Sequence, residues 1–264
     1  MRYFFHIGYQ GAQYRGWQRQ LGVISIQEML EQTISQVLKK PVSCIGCGRT
    51  DAGVHANQYF FHLDINQELD FDLRFVLNKS LPKDIAIFEI IPVADKAHTQ
   101  FDATARTYHY FFHIIKDPFL ADLSAWYPLP GLNLEGMQEA VDLLPRYQDF
   151  RSFCKTPDKH NTTICTVTSA SLMADADQQN FCFHITANRF LRGMIRLIVG
   201  NLLEIGQGKL SVATFEAYLQ GKAKPKFTNY AYPQGLYLTK VTYPYLDIPA
   251  RKELPAALKD LREI

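Results

Sequence analysis

The chain has no apolar run near the ~20 residues that a membrane-spanning helix requires. It carries no large excess of charge of either sign, and no proline- or glycine-rich linker divides it. Its 264 residues include two tryptophans and five cysteines. An odd cysteine count behind an N-terminus that reads as a strand (Met1 to His6) rather than a signal peptide argues against a disulfide framework. Reduced thiols and a cytoplasmic location are the expectation. Cys44 and Cys47 form a C-x-x-C, but a structural zinc site needs two more soft ligands at workable spacing, and no second pair exists. The five cysteines are therefore read as small buried hydrophobes, and no metal is expected.

The formal net charge of +2 excludes a polycation. The first 104 residues carry 10 basic and 11 acidic side chains and the remainder 18 and 15. A nucleic-acid partner would have to be held by a local basic surface rather than by bulk charge. Two groups are candidates for such a surface: Arg189, Arg192 and Arg196, and then Lys222, Lys224 and Lys226.

A hydrophobic share of 47% with 20% charged residues is that of an ordinary globular chain, and its length suits one large domain or two modest ones. Tyr3 to Tyr9 reads as a strand. Ser25 to Lys40 is helical, with Ile26, Met29, Leu30, Ile34, Val37 and Leu38 on one stripe and a capping box of Ser25 with Glu28. Short and longer strands follow near Ser43 to Gly46 and Asn57 to Leu63, then a helix over Phe71 to Lys79 and a strand over Ile85 to Ile91. The second half repeats the order. Strands are expected at Thr107 to Ile115, Ile164 to Met173, Phe181 to Thr186 and Gly235 to Tyr243, and helices at Leu134 to Leu144, Arg189 to Ile205 and Val212 to Leu219. Two β-α-β-β-α-β units predict an α+β fold of two ferredoxin-like halves, with domains 1–104 and 105–264 and a ligand cleft between them.

The densest chemical signal is Gly46-Cys47-Gly48-Arg49-Thr50-Asp51-Ala52-Gly53-Val54-His55-Ala56. Its glycines permit positive φ and close backbone approach, so the turn can hold Arg49 and Asp51 out at a sheet edge. Taken alone, an Asp in such a turn serves turn chemistry more often than catalysis. Asp51 and His55 make poor metal ligands, because a four-residue spacing converges only on a helix.

The run Gly48-Arg49-Thr50-Asp51-Ala52-Gly53-Val54-His55-Ala56 resembles the signature of the tRNA pseudouridine synthase A family. The likeness extends, in order, through Gly16-Trp17-Gln18-Arg19-Gln20, Ser25-Ile26-Gln27, Leu81-Pro82-Lys83-Asp84-Ile85 and Phe101-Asp102-Ala103-Thr104-Ala105-Arg106 with Tyr108 and Tyr110. It continues through Asp149-Phe150, Ser152-Phe153, Phe190-Leu191-Arg192 with Met194-Ile195-Arg196, and Gly235-Leu236-Tyr237-Leu238. The chain departs from the family pattern at Gln10, Gln100 and Thr162.

The resemblance implies isomerisation of uridine to pseudouridine at positions 38 to 40 in the anticodon stem-loop of tRNA, without a cofactor, by a homodimer. Asp51 matches the position of the family's catalytic aspartate and Arg196 that of the arginine paired with it. Arg49 matches the arginine that fills the space left by a flipped nucleotide, Tyr108 the tyrosine packed on the flipped base, and Leu236 part of the apolar pocket floor. Arg189 and Arg192, at i and i+3 before Arg196 at i+7, would extend a basic helix face toward RNA. Blander roles stand beside these: a solvated helix face for the arginines, a surface ion pair for Arg49, and strand core for Tyr108 and Leu236. Two other activities are weighed as well, a silent RNA-binding module and a metal- or thiol-dependent hydrolase using Cys44, Cys47 and His55.

Overall fold

The computed structural model describes residues 1–225, 229–251 and 261–263. The fold is mixed α+β and forms two compact units, one of residues 1–104 with 237–251, the other of residues 105–236 with the C-terminal residues.

In the first unit the sheet order is β9 (Leu236–Thr242), β3 (His55–Asp64), β1 (Arg2–Tyr9) and β4 (Ile85–Val93), with the short β2 (Ile45–Gly46) also paired to β3. β1 runs antiparallel to both β3 and β4. Its sequence is apolar on both faces: Phe4, Phe5 and Ile7 are fully buried, and Phe5 stacks on Phe61 of β3 at 4.7 Å. Helix α1 (Ile26–Leu38) starts where the Ser25 hydroxyl accepts the Glu28 amide at 3.3 Å and ends at Lys39, whose φ of 54° stops the helix. Ile26, Leu30, Ile34 and Leu38 form its buried stripe. Helix α2 (Leu73–Ser80) begins behind Asp72 and shields the free side of β4. The Asn78 amide exchanges two hydrogen bonds with the Ile87 backbone, at 2.7 and 2.8 Å, and Arg74 donates to the Phe88 carbonyl at 3.2 Å. Groups that would otherwise template another strand are thereby occupied.

The segment 243–251 wraps this same unit. Tyr243 packs edge-on against Phe4 and Phe60, both at 5.4 Å, and the Arg251 guanidinium lies 3.7 Å over the Phe88 ring. The sequence reading placed residues 237–251 in a second domain of 105–264. They group with the first unit, in which β9 pairs in parallel with β3, Tyr237 opposite His55 and Leu238 opposite Ala56.

The second unit holds an antiparallel sheet in the order β5 (Ala105–His113), β8 (Asn180–Ala187), β7 (Val167–Ala174) and β10 (Arg262–Glu263), with β6 (Ala125–Trp126) parallel to β5. Helices α3 (Leu134–Leu143), α4 (Met194–Gly206) and α5 (Val212–Leu219) belong to it. Every α4 residue except Arg196 and Glu204 is buried.

Most expected elements shift by a residue or two at their ends, and three of the differences bear on the site. α4 starts at Met194, not Arg189, because Gly193 takes a left-handed φ of 74° and interrupts the helix. Arg189 and Arg192 therefore do not share a helical face with Arg196. β7 starts at Val167, and Ile164 makes only an isolated bridge to Asp149. β3 extends back to His55, two residues before the expected Asn57.

Candidate active site

In the first unit the turn from β2 to β3 is fixed from several directions. Cys47 donates its amide to the Phe60 carbonyl at 2.8 Å. Gly46 leaves room for the Trp17 indole and the Tyr59 hydroxyl, which a side chain at that position would overlap. The Tyr59 hydroxyl donates to the Gly48 carbonyl at 2.6 Å, while the Tyr59 ring stacks on Trp17 at 4.1 Å. Thr50 Oγ1 lies 2.9 Å from the Tyr9 hydroxyl, and the Thr50 carbonyl accepts the Trp17 amide at 3.2 Å. Gly53 donates to the Tyr14 carbonyl and Val54 to the Asp51 carbonyl, each at 3.2 Å. Of the turn's glycines only Gly53 uses a positive φ, 77°.

These restraints produce an alternation in which Arg49 is exposed, Thr50 buried and Asp51 half-buried. Arg49 and Asp51 thus stand on one rigid loop with the residue between them used as the anchor. The neighbouring segment 10–18 is itself tied down, since the Tyr14 hydroxyl donates to Asp84 at 2.7 Å and the Gln10 amide to the Asp84 carbonyl at 2.9 Å. Burial and the Asp84 carboxylate push the Tyr14 phenol well above its usual pKa.

His55 is buried, its Nδ1 accepting the Gly11 amide at 3.0 Å while its ring stacks on Tyr237 at 4.5 Å. The hydrolase reading has little to work with. All five cysteines are buried, burial raises the Cys44 thiol well above its ordinary pKa, and no group of three or more His, Cys, Asp or Glu that could hold a metal is found among the described residues.

In the second unit Tyr108 is a buried β5 residue opposite Ile185, with its ring edge-on to Phe190 at 5.1 Å. Leu236, the first residue of β9, is buried as well. Arg196 is half-buried on α4. Its Nε donates to the Ala231 carbonyl at 2.7 Å, the Ala231 amide returns a bond to the Arg196 carbonyl at 3.0 Å, and the guanidinium lies 5.5 Å over the Tyr230 ring. Lys155 approaches that ring too, at 5.8 Å, so two cations lie near one aromatic ring. Arg189 is half-buried and Arg192 exposed in the segment before α4; the Arg192 carbonyl accepts the Lys155 amide at 3.0 Å. Lys222 and Lys224 are exposed, and Lys226 lies outside the described residues. The sequence reading passed over Lys155 and Tyr230. The signal available for them was the alternating Asn229-Tyr230-Ala231-Tyr232, which continues as a bonded strip where the Tyr110 hydroxyl donates to the Tyr232 carbonyl at 2.8 Å.

A family model described as tRNA pseudouridine synthase matches residues 147–244. Curated proteins called tRNA pseudouridine synthase A match nearly end to end. The one from Porphyromonas gingivalis is 41% identical over 92% of this chain and 97% of its own length. The one from Parabacteroides distasonis is 42% identical over 92% and 96%, and that from a Geobacillus species 36% identical over 90% and 96%.

The chain belongs to the tRNA pseudouridine synthase A family.

As a member of the tRNA pseudouridine synthase A family it is an isomerase that acts on tRNA. Among the described residues no helix is long and apolar enough to cross a membrane. The loop presents an exposed planar guanidinium at Arg49 and, two residues on, the half-buried side-chain carboxyl group of Asp51.

Proposed function

We propose that this enzyme converts uridine to pseudouridine at tRNA positions 38, 39 and 40 in the anticodon stem-loop, with Asp51 as the catalytic residue. The observation that carries the reading is the clamped loop on which Arg49 is exposed and Asp51 half-buried around a buried Thr50.

A uridine stacked in a stem has to leave the stack before a side chain can reach its sugar, at a cost of a few kcal/mol. Arg49 is assigned to the space the nucleotide vacates. Tyr108 offers an aromatic face to the extruded base and Leu236 part of the apolar floor. The Asp51 carboxylate attacks C1′ or removes a proton beside it, and the C1′–N1 bond breaks. The uracil then turns so that C5 bonds to C1′ as the aspartyl oxygen leaves that carbon, or as the proton taken from beside it returns, and the proton on C5 is released as N1 gains one. Substrate and product are isomers, so the balance needs no cofactor. Arg196 is assigned as the cationic partner of the reacting carboxylate, with Arg189 and Arg192 as RNA contacts. The strand order β4-β1-β3-β2 in the first unit and β5-β8-β7 in the second supports reading each as one ferredoxin-like half.

Asp51→Asn should abolish tritium release from C5-labelled uridine in tRNA while tRNA binding stays within a few-fold, since binding is spread over phosphate contacts. Appreciable release by that variant removes Asp51 from the chemistry. The enzyme is further proposed to act as a cytoplasmic homodimer that combines two modest basic surfaces. Sedimentation at assay concentration should show a species of twice the 30.3 kDa chain mass, and a monomer alone would refute it.

A further inference from the structure

The residues that hold the Asp51 loop are drawn from both strands beneath it. Tyr9 ends β1 and Tyr59 lies within β3. Their hydroxyls reach residues on either side of Arg49: Tyr9 meets Thr50 Oγ1 at 2.9 Å, and Tyr59 donates to the Gly48 carbonyl at 2.6 Å. Both phenols are buried, at 4% and 0% exposure. Tyr59 is the more enclosed, and burial drives its pKa well above the usual phenol value, so it acts as a fixed donor. Trp17 adds a third fixed point by stacking on Tyr59 and giving its amide to Thr50.

A turn of this length supported only by its own backbone would sample several conformers, and a nucleophile displaced by about 1 Å loses rate steeply. With Thr50 anchored inward, Arg49 and Asp51 have little freedom to turn. We infer that Tyr9 and Tyr59 are positioning residues for the isomerisation, acting through Thr50 and Gly48 to set where the Asp51 carboxylate and the Arg49 guanidinium are held. This rests on the assignment of Asp51 to the chemistry.

The test compares Tyr9→Phe, Thr50→Val, their double variant, Tyr59→Phe and Asp51→Asn on full-length enzyme with tRNA, reading kcat, KM and Tm. Tyr9→Phe and Thr50→Val should each lower kcat at least about 10-fold with KM within about 3-fold, because the hydroxyl pair orients the loop and makes no RNA contact. Replacing both members of a buried hydroxyl pair with apolar groups restores the polar balance. The double variant should therefore regain Tm yet remain as slow as the slower single variant. If kcat returns along with Tm, the pair is only structural and the inference fails. Tyr59→Phe keeps its ring stack on Trp17 and repeats the test from β3, which covers the case in which a β1 variant does not fold. An inactive Asp51→Asn beside fully active Tyr9→Phe and Tyr59→Phe overturns the inference alone. An active Asp51→Asn overturns the assignment on which it rests.

Discussion

Gly16 lies so close to Thr50 that a methyl group on its α-carbon would overlap the Thr50 carbonyl oxygen. The contact is between backbone and backbone, so neither side can move aside by changing a rotamer. It also brings the Trp17 amide within reach of that carbonyl. This close backbone approach to the residue before Asp51 is thus made by a residue with no side chain, held at φ 88°.

Gly16→Ala should therefore lose both stability and turnover. The left-handed conformation costs a non-glycine residue roughly 1–2 kcal/mol, and relief of the overlap would shift the Thr50 and Asp51 backbone. Thermal melting should fall by several degrees, and kcat should fall further than the loss of folded protein accounts for. A variant with unchanged melting and turnover would show that the approach of the two segments does not matter.

Part of the pH response of the first unit should come from His62. This side chain is 2% exposed, bonds Thr99 Oγ1 at 2.8 Å and is pushed down to a pKa of about 4, chiefly by burial, with Arg2 and His98 adding to the effect and Asp64 and Asp102 opposing it. It is neutral in the fold at pH 7, whereas the unfolded chain takes up its proton near the ordinary value of 6.5. The unfolded state then binds more protons below that value, so stability falls as pH drops from about 6.5 toward 4. The loss from this residue approaches about 3 kcal/mol at the lower end. Denaturant unfolding at pH 7 and pH 4.5 should show a smaller drop for His62→Gln than for wild type, and equal drops would exclude His62 as the source.

Much of the fold was legible because local signals agreed with the packing. The Ser25 cap and apolar stripe of α1 fall where the sequence reading put them, as do α5 and, to within one residue, α3. The Arg49 to Asp51 loop was legible as a turn through its glycines. Its clamps were not, because Tyr9 and Tyr59 sit in strands whose apolar pattern accounts for them without reference to Thr50. The start of α4 was misread for a similar reason: Leu191, Met194, Leu197 and Ile198 keep helical spacing across Gly193, and periodicity carries no record of a positive φ. Nor does periodicity show which strand a closing strand pairs with, so β9 was grouped by order along the chain rather than by its pairing with β3.

Gly200, in the middle of α4, tests helix propensity against packing with opposite signs. On propensity alone Gly200→Ala should stabilise the helix by up to about 1 kcal/mol. In this position, however, the added methyl group would overlap the Asn229 carbonyl oxygen, and the backbone near Asn229 leads directly into the Tyr230-Ala231 strip that holds Arg196 through two hydrogen bonds. Relief requires the strip to move off α4, which would break the Arg196 Nε bond to Ala231 and withdraw the Tyr230 ring from Arg196 and Lys155. The overlap is with backbone, so packing should win: Tm should fall and turnover should fall with it, with Gly193→Ala affecting the helix entrance instead. A rise in Tm with full activity would mean that the strip yields freely and that Arg196 does not depend on it.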